Sequence, residues 1–306
     1  MGKKESALTR KNSHSTKNSF TAVTGVMLAV LIAYALILFG LLLWALLTSF
    51  KSQDDFYGNS YKLPNLWYWN FNAILKFGVR VETETGYRSA FMPEMLLNGV
   101  LYSVGCSFVK TAVTCIVAYL CSKFRYKFSK IVYNTVIITM IIPIVGSLPA
   151  EIFMSKTFRF YDRIWGLWIM QANFLGMYFL VFHAAFNAQP NAYAEAAKID
   201  GAGNWRIFLT IYVPQAGGML IILYILSFIG TWNAFMTPYL SLPSHPTLAT
   251  GIQRLSAQIS GGNAQYVNDY PKLFAAMLVT ILPVMILFIA FQKRIMRFSL
   301  GGGIKG

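Results

Sequence analysis

The segment from Glu195 to Pro214 reads EAAKIDGAGNWRIFLTIYVP and separates two long apolar runs, 165–187 and 216–240. Two acids, two bases, two glycines and a closing proline interrupt a chain that is otherwise largely hydrocarbon. Pro190 suits a first helical turn, or Asn191 an N-cap. Residues 192–199 are alanine-rich and predict a short helix. Asp200-Gly201 stops it, because glycine enters the left-handed conformation without a Cβ penalty. Asn204 is placed to cap a second helix, on which Trp205, Phe208 and Ile211 share a face at i, i+3 and i+6. Pro214 marks the return toward the next apolar run. The product, 190–214, is a helical hairpin across one end of a bundle, shaped for a partner's groove.

The surrounding chain names its solvent. Apolar residues make up 56% of the 306 and charged residues 12%, where a soluble domain holds about a quarter charged. Six apolar runs are long enough to span a hydrocarbon core: 22–49, 96–122, 131–150, 165–187, 216–240 and 273–292. They are too long for barrel strands, and lipid offers backbone groups no other partner, so they are read as helices. The expected fold is an all-α integral membrane protein of six transmembrane helices. The first run exceeds a signal peptide's apolar core and is read as a retained span. Cys106, Cys115 and Cys121 lie in one apolar run without a CxxC pair, and are read as small buried hydrophobes. His14, His183 and His245 show no ligand spacing, so no metal site is assigned.

Charge sets the orientation. With the N-terminus inside, the inner loops and tails carry 15 bases against three acids (Glu5, Glu195 and Asp200). The outer segments carry 10 bases against eight acids, and Lys110 lies within a span. The positive-inside rule then puts both termini and the opening stretch in the cytoplasm. The organisation is a tail 1–20, a first span with an outer segment 21–90, a core 91–295 containing the hairpin, and a tail 296–306. The aromatics of the outer segment, Tyr61, Trp67, Tyr68, Trp69 and Phe71, suit packing on the membrane surface. The Ser-, Gly- and Pro-rich stretch 241–272 reads as a flexible outer loop. The net charge of +15 is accounted for by topology and anionic lipid rather than nucleic acid, since no basic stripe interleaved with stacking aromatics stands in a soluble segment.

Several function classes lack their residues. No carboxylate lies mid-span to carry a proton or sodium; Glu94 and Glu151 stand at span ends. No channel filter, no clustered nucleophile, base or metal ligands, and no GxxxxGK[ST] phosphate loop is present. If the chain moves a solute uphill, another chain supplies the energy.

The full spacing of the hairpin is specific. Glu195-Ala196-Ala197, three residues, Gly201, nine residues, Ile211, one residue, Val213-Pro214 resembles the EAA loop of binding-protein-dependent ABC importers, with Val213 where that family usually has Leu. It stands between the fourth and fifth of six runs, as in that family. Residues 90–300 resemble the MalG-like permeases of carbohydrate importers through Phe124-Arg125-Tyr126, Thr231-Trp232-Asn233-Ala234-Phe235 and the ending Gly301-Gly302-Gly303-Ile304-Lys305-Gly306. The resemblance implies the type I importer permease fold in a bacterial cell membrane. It implies a second homologous permease, a dimeric cytoplasmic ATPase and an extracellular solute-binding protein, which the 241–272 region reaches. ATP and Mg are then bound by the ATPase, and this chain holds no cofactor and is no enzyme. Glu195, Ala196, Ala197, Asp200, Gly201, Trp205 and Phe208 become the ATPase-coupling residues. The alternatives are an importer of a non-sugar solute and a stand-alone carrier or channel.

Within the spans, Ser103, Ser107, Lys110 and Thr114 form a polar stripe at i, i+4, i+7 and i+11. Lys110 there faces either a translocation path or the other permease. Gln171 and Asn173 in the fourth run, and Trp232 and Asn233 in the fifth, suit a hydroxyl-rich sugar, which needs amides and a stacking face. The same residues equally suit polar contacts between helices.

Overall fold

The computed structural model of the chain describes residues 22–83, 86–124, 126–142, 146–261 and 269–301. The tail 1–20, Arg125 and residues 302–306, on which parts of the topology and family reading depend, lie outside the described residues.

The first helix, α1 (Ala22–Thr48), is apolar on every side, and nearly all of it stands exposed. A helix of this kind has no core face of its own and needs lipid or a partner around it. Beyond it come α2 (Gln53–Gly58), α3 (Phe71–Leu75) and an antiparallel hairpin of β1 (Gly78–Thr83) and β2 (Gly86–Phe91). The register pairs Val79 with Ala90 and Val81 with Arg88. Val79, Val81 and Ala90 are buried against Met92, Met95 and Trp232 in one apolar cluster. The hairpin departs from the all-helical expectation. Its signal is the alternation Val79-Arg80-Val81-Glu82, which places every second residue on one face.

The axis of the fold is α4 (Met92–Lys123), unbroken over 32 residues. After it run α5 (Lys127–Ile141), α6 (Ser147–Thr157), α7 (Ile164–Met170), α8 (Met177–Ala188), α9 (Ala192–Ile199), α10 (Asn204–Ile207), a π-helical turn (Phe208–Tyr212), α11 (Val213–Gln215), α12 (Gly217–Asn233), α13 (Met236–Ser241), α14 (Leu248–Ser260) and α15 (Tyr270–Gly301). Helices α7, α8, α12 and α14 all pack on α4. Ser103, Ser107 and Thr114 are buried, and the Ser107 hydroxyl meets that of Thr231 on α12 at 3.0 Å. At Ser107 the polar stripe read from the sequence is a helix–helix contact, whereas Lys110 and Thr114 line a recess.

Among the described residues three helices are long and apolar enough to cross a membrane, Thr24–Thr48, Met92–Lys123 and Tyr270–Lys293. A fourth crossing is reached if the segments Asn204–Gln215 and Gly217–Asn233, bent by 78°, are counted as one. The remaining expected spans are interrupted. The run 131–150 breaks between α5 and α6, where Gly146 takes φ +81°, and the run 165–187 breaks between α7 and α8, where Gly176 takes φ +141°. A glycine permits a backbone turn that other residues resist, at little cost to the mean hydropathy of the run.

The stretch 241–272, of which 262–268 lie outside the described residues, is also corrected over 241–261 and 269–272. It contains α14, opened by a capping box in which the Thr247 and Thr250 side chains each take the other's main-chain N–H. Leu248, Leu255 and Ile259 form its buried face. Close packing along the axis is tightest at Gly105, where an added Cβ would land on the indole of Trp168; that indole donates through Nε1 to the Leu101 carbonyl at 3.1 Å. Gly105→Val is expected to force α7 off α4 and to lower the midpoint of thermal unfolding in detergent. Overpacking of this kind costs about 1–3 kcal/mol. An unchanged midpoint would show that the contact is loose.

Candidate functional site

The hairpin is built as its sequence predicts, with local differences. Helix α9 ends at Asp200, and Gly201 takes φ +79°. Ala202 N–H donates to the Ala197 carbonyl at 2.9 Å and Gly201 N–H to the Lys198 carbonyl at 3.0 Å. This is the double-bonded Schellman ending, and it satisfies carbonyls that α9 would otherwise leave open. Asn191 occupies the N-cap of α9 as expected but makes no side-chain bond there, and the cap of α10 moves to Gly203 from Asn204. Pro214 explains the π-helical turn that follows. It has no N–H for the Thr210 carbonyl and its ring crowds that carbonyl, so the ladder re-forms one residue wider, with Val213 N–H on the Phe208 carbonyl.

The two sides of the hairpin differ. Glu195, Ala196, Asp200, Gly201 and Trp205 are exposed, and Ala197 is half-buried. Ile199 is 88% exposed and Trp205 63%, so large apolar surface faces away from the protein beside two carboxylates. Phe208 lies on the other side. It is 4% exposed, with its ring 4.6 Å from that of Tyr119 on α4. The sequence placed Phe208 among the residues offered to a partner; the structure makes it part of the footing, in one cluster with Ile207, Tyr212 and Phe186. Periodicity identified it as apolar but not which body would cover it.

Of the span residues read as a path, the structure brings Lys110 and Asn173 together and separates the others. Lys110, Thr114, Asn173, Gly176 and Tyr178 line one recess at the break between α7 and α8. The Lys110 ammonium stands 5.7 Å from the Tyr178 ring centroid, and no carboxylate among the described residues forms an ion pair with it. Asn173 uses Oδ1 to accept the Leu175 N–H at 2.8 Å. Gln171 caps α7 and does not line the recess. Trp232 is a core residue: it is 3% exposed and donates through Nε1 to the Thr280 carbonyl at 3.1 Å, joining α12 to α15. It presents no open face for a sugar to stack on. Asn233 is exposed at the end of α12.

The β-hairpin end carries a polar lattice that sequence reading missed. Arg88 grips Glu94 with both terminal nitrogens, at 2.8 and 2.6 Å, and donates to the Ser244 carbonyl at 2.9 Å. The Glu94 carboxylate holds the Arg88 guanidinium pKa above its usual value. Ser244 in turn donates to the Glu82 carbonyl at 2.6 Å and takes Asp162 Oδ1 on its N–H at 3.0 Å. The partners of Ser244 are 82 to 162 residues away in sequence, so no local pattern announces them. Among the described residues no group of three or more His, Cys, Asp or Glu side chains is placed to hold a metal ion.

Residues 111–298 match the family model described as binding-protein-dependent transport system inner membrane component. The match contains the whole hairpin and begins one residue after Lys110. The chain is 27% identical over 284 residues to the diacetylchitobiose uptake system permease protein NgcG of Streptomyces coelicolor, covering 92% of this chain and 88% of that one. It is 26% identical over 234 residues to the sn-glycerol-3-phosphate transport system permease protein UgpE of Yersinia pestis biovar Antiqua, covering 76% and 79%. Among solved structures, a chain of a bacterial ABC transporter involved in the import of the acidic polysaccharide alginate has the same fold. Its TM-score is 0.71 at 20% identity, over 89% of this chain and 96% of that one.

Proposed function

This chain belongs to the family of binding-protein-dependent transport system inner membrane components, and we propose that it is one of two homologous permeases of an ATP-driven carbohydrate importer in a bacterial cell membrane. Members of the family are multi-pass transport subunits and not enzymes. The observation that carries the proposal is the hairpin, which is rooted in its own chain on one side and exposes Trp205, Ile199 and two carboxylates on the other. A groove on the cytoplasmic ATPase takes that exposed side. Glu195 supplies a charge-assisted contact, Ala196 and Ala197 permit close approach, and Asp200-Gly201 sets the turn. ATP and Mg belong to the ATPase, whose closure moves the hairpin and turns the permease pair outward. A solute-binding protein docks at the β-hairpin end, near α14.

Six crossings are reached when the interrupted runs count as broken spans. Their breaks then face protein or the solute cavity, the only places where membrane tolerates irregular backbone. Both termini and the hairpin lie in the cytoplasm, the side favoured by the excess of Lys and Arg. The aromatics beyond α1, among them Trp67 at 68% and Trp69 at 60% exposed, rest in the outer headgroup layer.

Sugar as cargo is supported by the diacetylchitobiose relative. A polyol phosphate or acidic saccharide is favoured by a second observation, the Lys110 ammonium in its recess with no ion-pair partner among the described residues, together with the sn-glycerol-3-phosphate relative. The test is the ligand of the binding protein that associates with this permease, screened by thermal shift over oligosaccharides and polyol phosphates. An amino acid or metal ion as sole ligand would refute the carbohydrate reading. Lys110→Met in the assembled transporter separates the two cargo classes. For an anionic solute, uptake is expected to fall about tenfold or more, the loss of one hydrogen bond to a charged group of roughly 1.5–3 kcal/mol. Unchanged uptake and hydrolysis in a normally assembled complex would leave Lys110 a packing role only.

A further inference from the structure

One ammonium group fastens both ends of the coupling hairpin to the end of α4. Lys123, the last residue of α4, donates through Nζ to the Gln189 carbonyl at 2.6 Å and to Oδ1 of Asn191 at 2.9 Å, where the hairpin begins. The same nitrogen stands 4.8 Å from the ring centroid of Tyr212, where the hairpin ends. Gln189 is the C-cap of α8, so its carbonyl lies at the negative end of that helix and favours a cation. One turn earlier, on the same face of α4, Tyr119 lies 4.6 Å from Phe208 and 5.1 Å from Tyr212. Aromatic contact alone is weakly directional and lets surfaces slide; charge-assisted hydrogen bonds fix position. At its other end α4 is held by Arg88 on Glu94, and Arg88 also reaches the Ser244 carbonyl. The two fastenings lie near the ends of α4, whose 32 helical residues make about 48 Å of unbroken rod at 1.5 Å per residue.

We propose that Lys123 is the positioning residue that makes the hairpin and α4 one rigid body, so that a displacement of the hairpin is delivered along α4 to the β-hairpin end. The role in transport rests on the reading of 190–214 as the ATPase-coupling element; the tie itself rests on this chain alone. Apolar footing carries the load across the hairpin's width, and Lys123 sets the register at its two ends.

The test places nitroxide labels at Phe108→Cys on α4 and Tyr193→Cys on α9, both exposed, with Cys106, Cys115 and Cys121 replaced by Ala. Distances are read by pulsed electron resonance on the full chain in nanodiscs, then in the assembled transporter with and without ATP and vanadate. The wild-type side chains are expected to give one narrow distance, unchanged on trapping. Lys123→Met, which keeps the stem and removes the charge, is expected to add a second population, and Lys123→Arg to restore the single one. A single unchanged distance in Lys123→Met overturns the proposal, and so does a wild-type distance that shifts on trapping. If Lys123→Met does not reach the membrane, Asn191→Ala decides: it removes one acceptor and leaves the Gln189 carbonyl in place. A second population there supports the tie, and its absence refutes it. Failure of the wild-type chain to bind the ATPase counts against the coupling reading instead, and the nanodisc comparison still decides the tie.

Discussion

Glu195→Lys is expected to leave the protein folded and inserted, yet to lose most ATPase association and most ATP-dependent uptake. The side chain is exposed on the first turn of α9, and among the described residues no ion pair holds it. Within the chain, the reversal sets a cation against the positive end of a short helix, a penalty of about 0.3–1 kcal/mol that salt screens. At the interface, it removes one half of a charged pair and opposes the other half with like charge. Losses of this kind are about 2–5 kcal/mol, roughly thirtyfold or more in affinity. Pull-down of the ATPase by detergent-solubilised membranes reads the result, with Glu195→Gln expected in between. Wild-type association in the Lys variant would remove Glu195 from the contact.

Gly201→Val is expected to give a similar functional loss through a different cause. No atom lies within 4 Å of where a Cβ would stand, so nothing is struck. The cost is the backbone: φ is +79°, and a β-branched residue resists that region by roughly 1–3 kcal/mol. The turn is expected to relax by giving up the Ala202–Ala197 and Gly201–Lys198 bonds, which misaims α9 against α10. Gly201→Asn, which tolerates the left-handed region, should retain far more ATPase binding than the valine variant. Equal loss in both would point to a direct contact at this position rather than to strain.

The hairpin was legible because its determinants are local. A glycine after a short alanine-rich helix, and a proline before an apolar run, act over one or two turns. Interruption of the spans was missed although Pro143 precedes Gly146 and Gln171 and Asn173 precede Gly176, because average hydropathy over a run outweighs single breakers and the amides were read for a solute rather than for a turn. The β-hairpin and α14 did carry signals, the Val79–Val81 alternation and the Thr247–Thr250 pair, but inside segments read only for their side of the membrane. Phe208 and Trp232 show a more general limit. Both are apolar residues at helical spacing, and such spacing does not say whether the covering body is the same chain, lipid or a partner. Lys123 shows the converse, a residue read from sequence only as a topological charge that holds three parts of the fold at one point.

The account stands most directly on energy coupling. Proteoliposomes carrying this chain with its sister permease and ATPase, supplied with binding protein outside and a panel of labelled oligosaccharides and polyol phosphates, measure it in one assay. The predicted result is accumulation of one solute that requires ATP inside and binding protein outside, with none in vesicles holding this chain alone. Accumulation or flux of solute by this chain alone, without ATPase, would contradict it.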